Sequence, residues 1–168
     1  MRLYLVQHGD AVPKQTDPRR PLSETGRRDV AAIGRLLAAA GVRPERVFHS
    51  GKLRALETAE TLAAALGSGM TVEAMTGLNP KDPVEPVARA VEDWIADTML
   101  VGHLPFMAKL VASLVAGNPK LAVTAFVPGT VVCLERDEEG NLAIAWMVRP
   151  ALLRSHAPSS AATARTKC

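Results

Sequence analysis

Apolar residues along this chain fall into short unbroken runs that alternate with longer stretches where they recur every three or four positions. Arg2–Gln7 is a run of the first kind, β-favouring and of a length that suits a strand buried on both faces, and it ends at His8-Gly9. Arg46–His49, 71–75 and 98–101 repeat the pattern. Between them the period is helical. Ser23-Glu24-Thr25-Gly26 leads into Val30, Ile33, Leu36 and Leu37, with Gly41 as the stop. Leu53, Leu56, Ala59, Leu62, Ala63 and Leu66 follow Ser50-Gly51 and are closed by Gly67-Ser68-Gly69, and two more helices are predicted over 86–95 and 104–115. Strands alternating with helices predict an α/β fold, a three-layer α/β/α sandwich with a mainly parallel central sheet covered on both faces. Residues 122–126, 130–135 and 142–148 read as edge strands, the last two joined by the turn Asp137-Glu138-Glu139-Gly140-Asn141. From Pro150 the sequence turns to Ser, Ala, Thr and Arg without periodicity, which predicts a domain over 1–148 and a basic, mobile or loosely docked tail over 149–168.

Length and charge narrow this picture. At 168 residues and 48% apolar composition the chain can bury one substantial core but not two. No apolar run approaches the roughly 20 residues that span a bilayer, and His8 and Asp10 come too early for a secretory leader, so the expectation is a cytoplasmic protein without a membrane partner. The net charge of +3 points towards an anionic partner until its location is considered. Arg149, Arg154, Arg165 and Lys167 lie after Val148 with no acidic residue among them, leaving residues 1–148 at about −1. The body carries no basic excess of the kind a nucleic-acid groove needs. Cys133 and Cys168 form neither a disulfide framework nor a metal-ligand spacing and read as plain thiols.

In a parallel α/β sheet the ligand site lies beyond the carboxyl ends of the strands. Three such ends are polar in the same way: His8-Gly9 after the first strand, Ser50 with Arg54 one helical turn on after the second, and Gly102-His103 after the fourth. Each residue alone is ordinary. Together, two histidines and an arginine at three strand exits can converge on one pocket, where helix N-termini add N–H donors for an anion. His49 and His156 have no such placement.

The ordered segments Gln7-His8-Gly9, Arg20-Pro21-Leu22-Ser23-Glu24-Thr25-Gly26, Ser50-Gly51-Lys52-Leu53-Arg54-Ala55-Leu56-Glu57-Thr58-Ala59 and Val101-Gly102-His103-Leu104-Pro105 resemble the successive motifs of the histidine phosphatase (phosphoglycerate-mutase-like) superfamily. The short chain, the Leu78-Asn79-Pro80 loop and the lack of a large cap insertion are most similar to its SixA-type phosphohistidine phosphatases. The resemblance implies that His8 attacks phosphorus and becomes a transient phosphohistidine. It implies that Arg54 and His103 bind the phosphoryl oxygens, that Gln7, Gly9 and Ser50 complete the substrate site, and that no metal or cofactor is needed. Its implied substrate is a phosphohistidine protein. A small phosphorylated metabolite is the first alternative, a silent phosphate-binding module the second, and the oligomeric state is left open. Two positions depart from the motifs. Gln7 stands where the family has Arg, a neutral amide in place of a bidentate cation, which leaves Lys14, Arg19, Arg20 or Lys52 to supply charge. No carboxylate stands out as a general acid, Asp82 and Glu85 being the nearest.

Overall fold

The computed structural model describes residues 1–67 and 70–153. In chain order the elements are β1 (Arg2–Gln7), α1 (Glu24–Ala39), β2 (Arg46–His49), α2 (Leu53–Leu66), β3 (Thr71–Ala74), α3 (Glu85–Glu92), β4 (Thr98–Gly102), α4 (Phe106–Ala116), β5 (Val131–Arg136) and β6 (Leu142–Val148). They form a six-stranded sheet in the order β3-β2-β4-β1-β5-β6. The four strands from β3 to β1 run parallel, while β5 pairs antiparallel with β1 and β6 antiparallel with β5.

Alternation along β1 divides the interior in two. Tyr4 and Val6 face a core built with Val30, Ile33 and Leu37 of α1 and Ala59, Leu62 and Leu66 of α2. Leu3 and Leu5 face Val87 and Val91 of α3 and Phe106, Leu110 and Val111 of α4. Two helices per sheet face give the expected sandwich, and none of the connections builds a large cap. All the parallel strands deliver their carboxyl ends to one edge of the sheet, where β5 begins.

The predicted strand over 122–126 is absent. Val123 and Phe126 instead pack side-on against the α3/α4 core, and the Ala125 carbonyl accepts from the Arg149 guanidinium rather than from a ladder. β6 already occupies that edge of the sheet. Nor is β5 an edge strand: it lies between β1 and β6 with Val131 to Leu134 fully buried, as an unbroken apolar run should. The third helix ends at Glu92, short of the predicted 95, and Ile95 is 91% exposed.

The loop after β1 is fastened to the start of α1. Ser23 caps the helix by accepting from Gly26 N–H at 3.0 Å, and its own hydroxyl donates to Asp10 Oδ2 at 2.6 Å. Gly9 is needed because a Cβ there would meet Val30 Cγ2 at 2.6 Å and Leu22 Cδ2 at 3.0 Å.

After β6 a short 3-10 turn, Pro150–Leu153, returns to the body: Pro150 is buried and Leu153 packs on the α1/α2 core. The part of the expected tail beyond Leu153 lies outside the described residues. We therefore expect a chain ending at Arg149 to lose about 1 to 2 kcal/mol of apolar burial and about 3 to 6 °C in Tm relative to one ending at Leu153, because it lacks the packed turn. Equal melting of the two truncations would show that the turn adds nothing.

Candidate active site

Hydrogen bonds between the strand ends shape the site before any side chain is considered. Ser50 N–H donates to Val101 O at 3.2 Å and His8 N–H to Gly102 O at 3.0 Å, so the exits of β2, β4 and β1 are level. Gly129 N–H donates to the carbonyls of Gln7 and His8, each at 3.1 Å, which closes the far side with the loop leading into β5.

This frame brings His8, Arg54, His103 and Ser50 into one cluster. The His8 and His103 rings lie 4.8 Å apart between centroids, tilted by 60°. His8 Nδ1 sits 2.6 Å from Gly9 O; a carbonyl can only accept, so Nδ1 carries the proton. Nε2 is then the lone-pair nitrogen, and it accepts from Arg54 Nε at 3.1 Å. One imidazole nitrogen is thus fixed as N–H by the backbone, and the other is presented to a guanidinium. Burial lowers the His8 pKa to about 4, with Arg54 and Arg20 acting in the same direction and the Gly9 carbonyl opposing. His103 is 2% exposed, and burial followed by the charges of His8, Arg54, Lys52 and Arg20 lowers its pKa to about 3. Both rings are neutral at pH 7. The Arg54 guanidinium is itself partly desolvated beside Arg20, which lowers its pKa. Ser50 Oγ lies 2.6 Å from His103 Nε2, and His103 Nδ1 is buried without a partner. Such a cluster offers a dianion cationic and neutral donors in a site that is short of negative charge.

The remaining residues are placed differently. Gly9 has both backbone groups engaged, N–H donating to Thr58 Oγ1 at 3.0 Å and C=O holding His8 Nδ1, so neither is free for a ligand. Gln7 shares the strand face of Leu3 and Leu5 beside Gly102; it is 8% exposed, with Oε1 buried and unpartnered. Of the four candidate replacement cations, Arg19 is paired with Asp17 at 3.2 Å on the surface and Lys14 is exposed. The charge of Arg20 reaches both histidines and Arg54, and that of Lys52 reaches His103. Arg20 is the one non-glycine residue among those described with a left-handed backbone, φ 53°, and its Nε donates to Val12 O at 3.2 Å. Asp82 is engaged locally: its Oδ2 accepts from Asn79 N–H at 2.8 Å and holds the loop before α3, which leaves Glu85 exposed in the first turn of that helix. His49 Nδ1 accepts from Gly51 N–H at 3.1 Å, a turn contact.

Two residues in the site went unassigned in the sequence. Thr58 is fully buried under the loop after β1. Glu57 accepts from Leu22 N–H at 2.6 Å and lies 3.4 Å from Arg27, tying the same loop to α2 and α1. Their positions one helical turn after Arg54 were the available signal, since residues at i and i+4 share a helix face.

The histidine phosphatase superfamily (branch 1) matches residues 3–82. The chain is 28% identical over 159 residues to phosphohistidine phosphatase SixA of Escherichia coli (strain K12), covering 92% of this chain and 97% of that one. It is 31% identical over 125 residues to an uncharacterized protein of Picosynechococcus sp., covering 70% of this chain and 75% of the relative. Among solved structures, protein histidine phosphatase SixA complexed with tungstate superposes with a TM-score of 0.81 at 28% identity, covering 92% of this chain and all of that one. Phosphoserine phosphatase of Entamoeba histolytica, at 13% identity and a TM-score of 0.68 over 87% of this chain and 95% of its own, shares the fold alone. With the motifs in order along the sequence and their side chains gathered at one sheet edge, the chain belongs to the histidine phosphatase superfamily, branch 1.

Proposed function

We propose that this protein is a cytoplasmic, metal-independent phosphatase that hydrolyses phosphohistidine on a protein through a phosphoryl intermediate on His8. The observation that carries the reading is the fixed tautomer: Nδ1–H bound to the Gly9 carbonyl leaves the Nε2 lone pair facing Arg54. In the first step Nε2 attacks phosphorus and the bond to the leaving nitrogen breaks, its electron pair passing to that nitrogen, which takes a proton from solvent and departs as neutral imidazole. Positive charge grows on the His8 ring as this happens, and the Gly9 carbonyl stabilises it. Arg54 and His103 take the phosphoryl oxygens, whose dianionic charge offsets the burial that lowers the His103 pKa. Water then attacks phosphorus, the Nε2–P bond breaks, and inorganic phosphate leaves.

An imidazole leaving group needs less proton assistance than an alkoxide, which suits a site where Asp82 is engaged in its own loop. Similarity to SixA and the lack of a cap over the site support a bulky protein substrate. The second reading, a weakened phosphate-binding module, rests on Gln7. The test is hydrolysis of a phosphohistidine protein against a panel of phosphorylated metabolites. Preference for the protein supports the proposal, preference for a metabolite assigns a small-molecule phosphomonoesterase, and inactivity on both leaves the binding module.

Two expected results follow from the charge arrangement. Among the described residues no group of three His, Cys, Asp or Glu side chains could hold a metal. Dialysis against EDTA is accordingly expected to leave turnover unchanged, and a loss restored by a divalent cation would overturn the mechanism. Gln7→Arg is expected to replace a neutral donor with charge-assisted bonds and tighten vanadate inhibition about five- to thirty-fold. Unchanged inhibition would show that position 7 does not face the phosphoryl group.

A further inference from the structure

The two ends of the His8 ring are linked to each other through Thr58. Following the bonds from Nε2, Arg54 Nε donates to it at 3.1 Å, the Arg54 carbonyl accepts from Thr58 Oγ1 at 2.7 Å, Thr58 Oγ1 accepts from Gly9 N–H at 3.0 Å, and the Gly9 carbonyl accepts from His8 Nδ1 at 2.6 Å. The circuit closes on the imidazole. It contains the backbone group that sets the tautomer and the residue whose guanidinium faces the lone pair.

The hydroxyl does something no other group there can. A Thr side chain offers one donor and accepting lone pairs, and here both functions are in use, the donor on α2 and the acceptor on the loop after β1. The Arg54 carbonyl also has its place in the α2 ladder, so the donated bond fixes the hydroxyl's orientation rather than satisfying an orphan. Among the described residues the Gly9 N–H has no other acceptor, and Thr58 is fully buried, so no water can substitute. The Gly9 N–H and C=O belong to successive peptide units joined at its Cα, and with no side chain at that joint the torsions between them would otherwise be free to turn the carbonyl away from Nδ1.

We propose that Thr58 is a positioning residue that locks the His8 tautomer and its alignment on Arg54 by anchoring the Gly9 peptide to helix α2. It touches neither substrate nor phosphorus. Its effect passes through the Gly9 carbonyl to Nδ1 and reaches the reaction as the orientation of the Nε2 lone pair. The inference rests on the reading of His8 as nucleophile, but the tautomer can be measured without any turnover.

The experiment compares the parent with Thr58→Val, Thr58→Ala and Thr58→Ser by thermal melt, by 15N-edited NMR of the His8 ring, and by kinetics on p-nitrophenyl phosphate across pH. The parent ring is expected to report Nδ1–H with Nε2 unprotonated. In Thr58→Val the ring nitrogens should report a mixture of tautomers, and kcat should fall about tenfold with KM little changed. The Gly9 carbonyl holds the His8 pKa up, so its loss should also move the acid limb of kcat/KM to lower pH. Thr58→Ser, which keeps the hydroxyl, should restore the tautomer and most of kcat. Thr58→Ala, which removes the hydroxyl without burying an extra methyl, serves in place of Thr58→Val if that variant does not fold. A single Nδ1–H tautomer in a folded variant lacking the hydroxyl would overturn the proposal, as would Thr58→Ser performing no better than Thr58→Ala. A parent with the expected tautomer but no hydrolysis would instead count against the proposed function and leave the circuit standing.

Discussion

His8→Ala is expected to reduce turnover of any phosphorylated substrate below about one per cent of the parent, because in the proposed mechanism it removes the atom that forms the bond to phosphorus rather than a contact that assists it. The fold should survive. The His8 ring is only partly buried, and Arg54 beside it is itself partly exposed. A melt within a few degrees of the parent, together with lost activity, separates a reagent from a structural residue. In the parent, a phosphoenzyme that withstands alkali but not acid should accumulate on brief exposure to substrate, and it should be missing from the variant. Activity retained above one per cent would move the nucleophile elsewhere. The pH dependence follows from the ring's environment. Only neutral His8 is nucleophilic, and burial holds its pKa at about 4, so kcat/KM should persist as pH falls below 6 and decline only towards that value.

Arg54→Ala is expected to have the second largest effect, about a hundred- to a thousand-fold loss in kcat/KM. Two charge-assisted bonds to phosphoryl oxygens, each about 1.5 to 2 kcal/mol at the lower end of their usual strength, account for that range if the guanidinium engages them as a fork. Inhibition by vanadate should weaken in parallel, because vanadate presents the same oxygens. Arg54→Lys should recover the charge but not the fork, and fall between. The acid limb provides an independent check. The Arg54 charge lowers the His8 pKa, so removing it raises that pKa and shifts the limb to higher pH, opposite to the shift expected when the Gly9 carbonyl is released. A variant with unaltered vanadate affinity would show that Arg54 contacts the His8 ring but not the substrate.

Periodicity along the chain was enough to read β1, α1, β2, α2, β3, β4 and α4 to within a residue or two, because each buries a continuous run or a continuous stripe. The antiparallel half was harder. A strand such as 122–126 has the apolar content of an edge, and whether it pairs depends on what occupies that edge already; here β6 does, and Val123 and Phe126 found a helix face instead. The 3-10 turn at Pro150 was invisible for a similar reason, since it has too few residues to show a period and owes its place to the surface it meets.

For the site, the sequence by itself determined which side chains stand at strand exits, because in a parallel sheet the chemistry of a residue and its position after a strand are both one-dimensional facts. His8, Ser50, Arg54 and His103 were legible in this way. The tertiary structure alone decided how their atoms are used. The tautomer of His8, the engagement of both Gly9 backbone groups, the approach of Arg20 and the burial of Thr58 beneath the loop all depend on hydrogen bonds between residues far apart in the chain. The pKa values of the two histidines belong to the same class. Desolvation is the largest cause of both shifts, and burial is conferred by neighbours that only folding brings together.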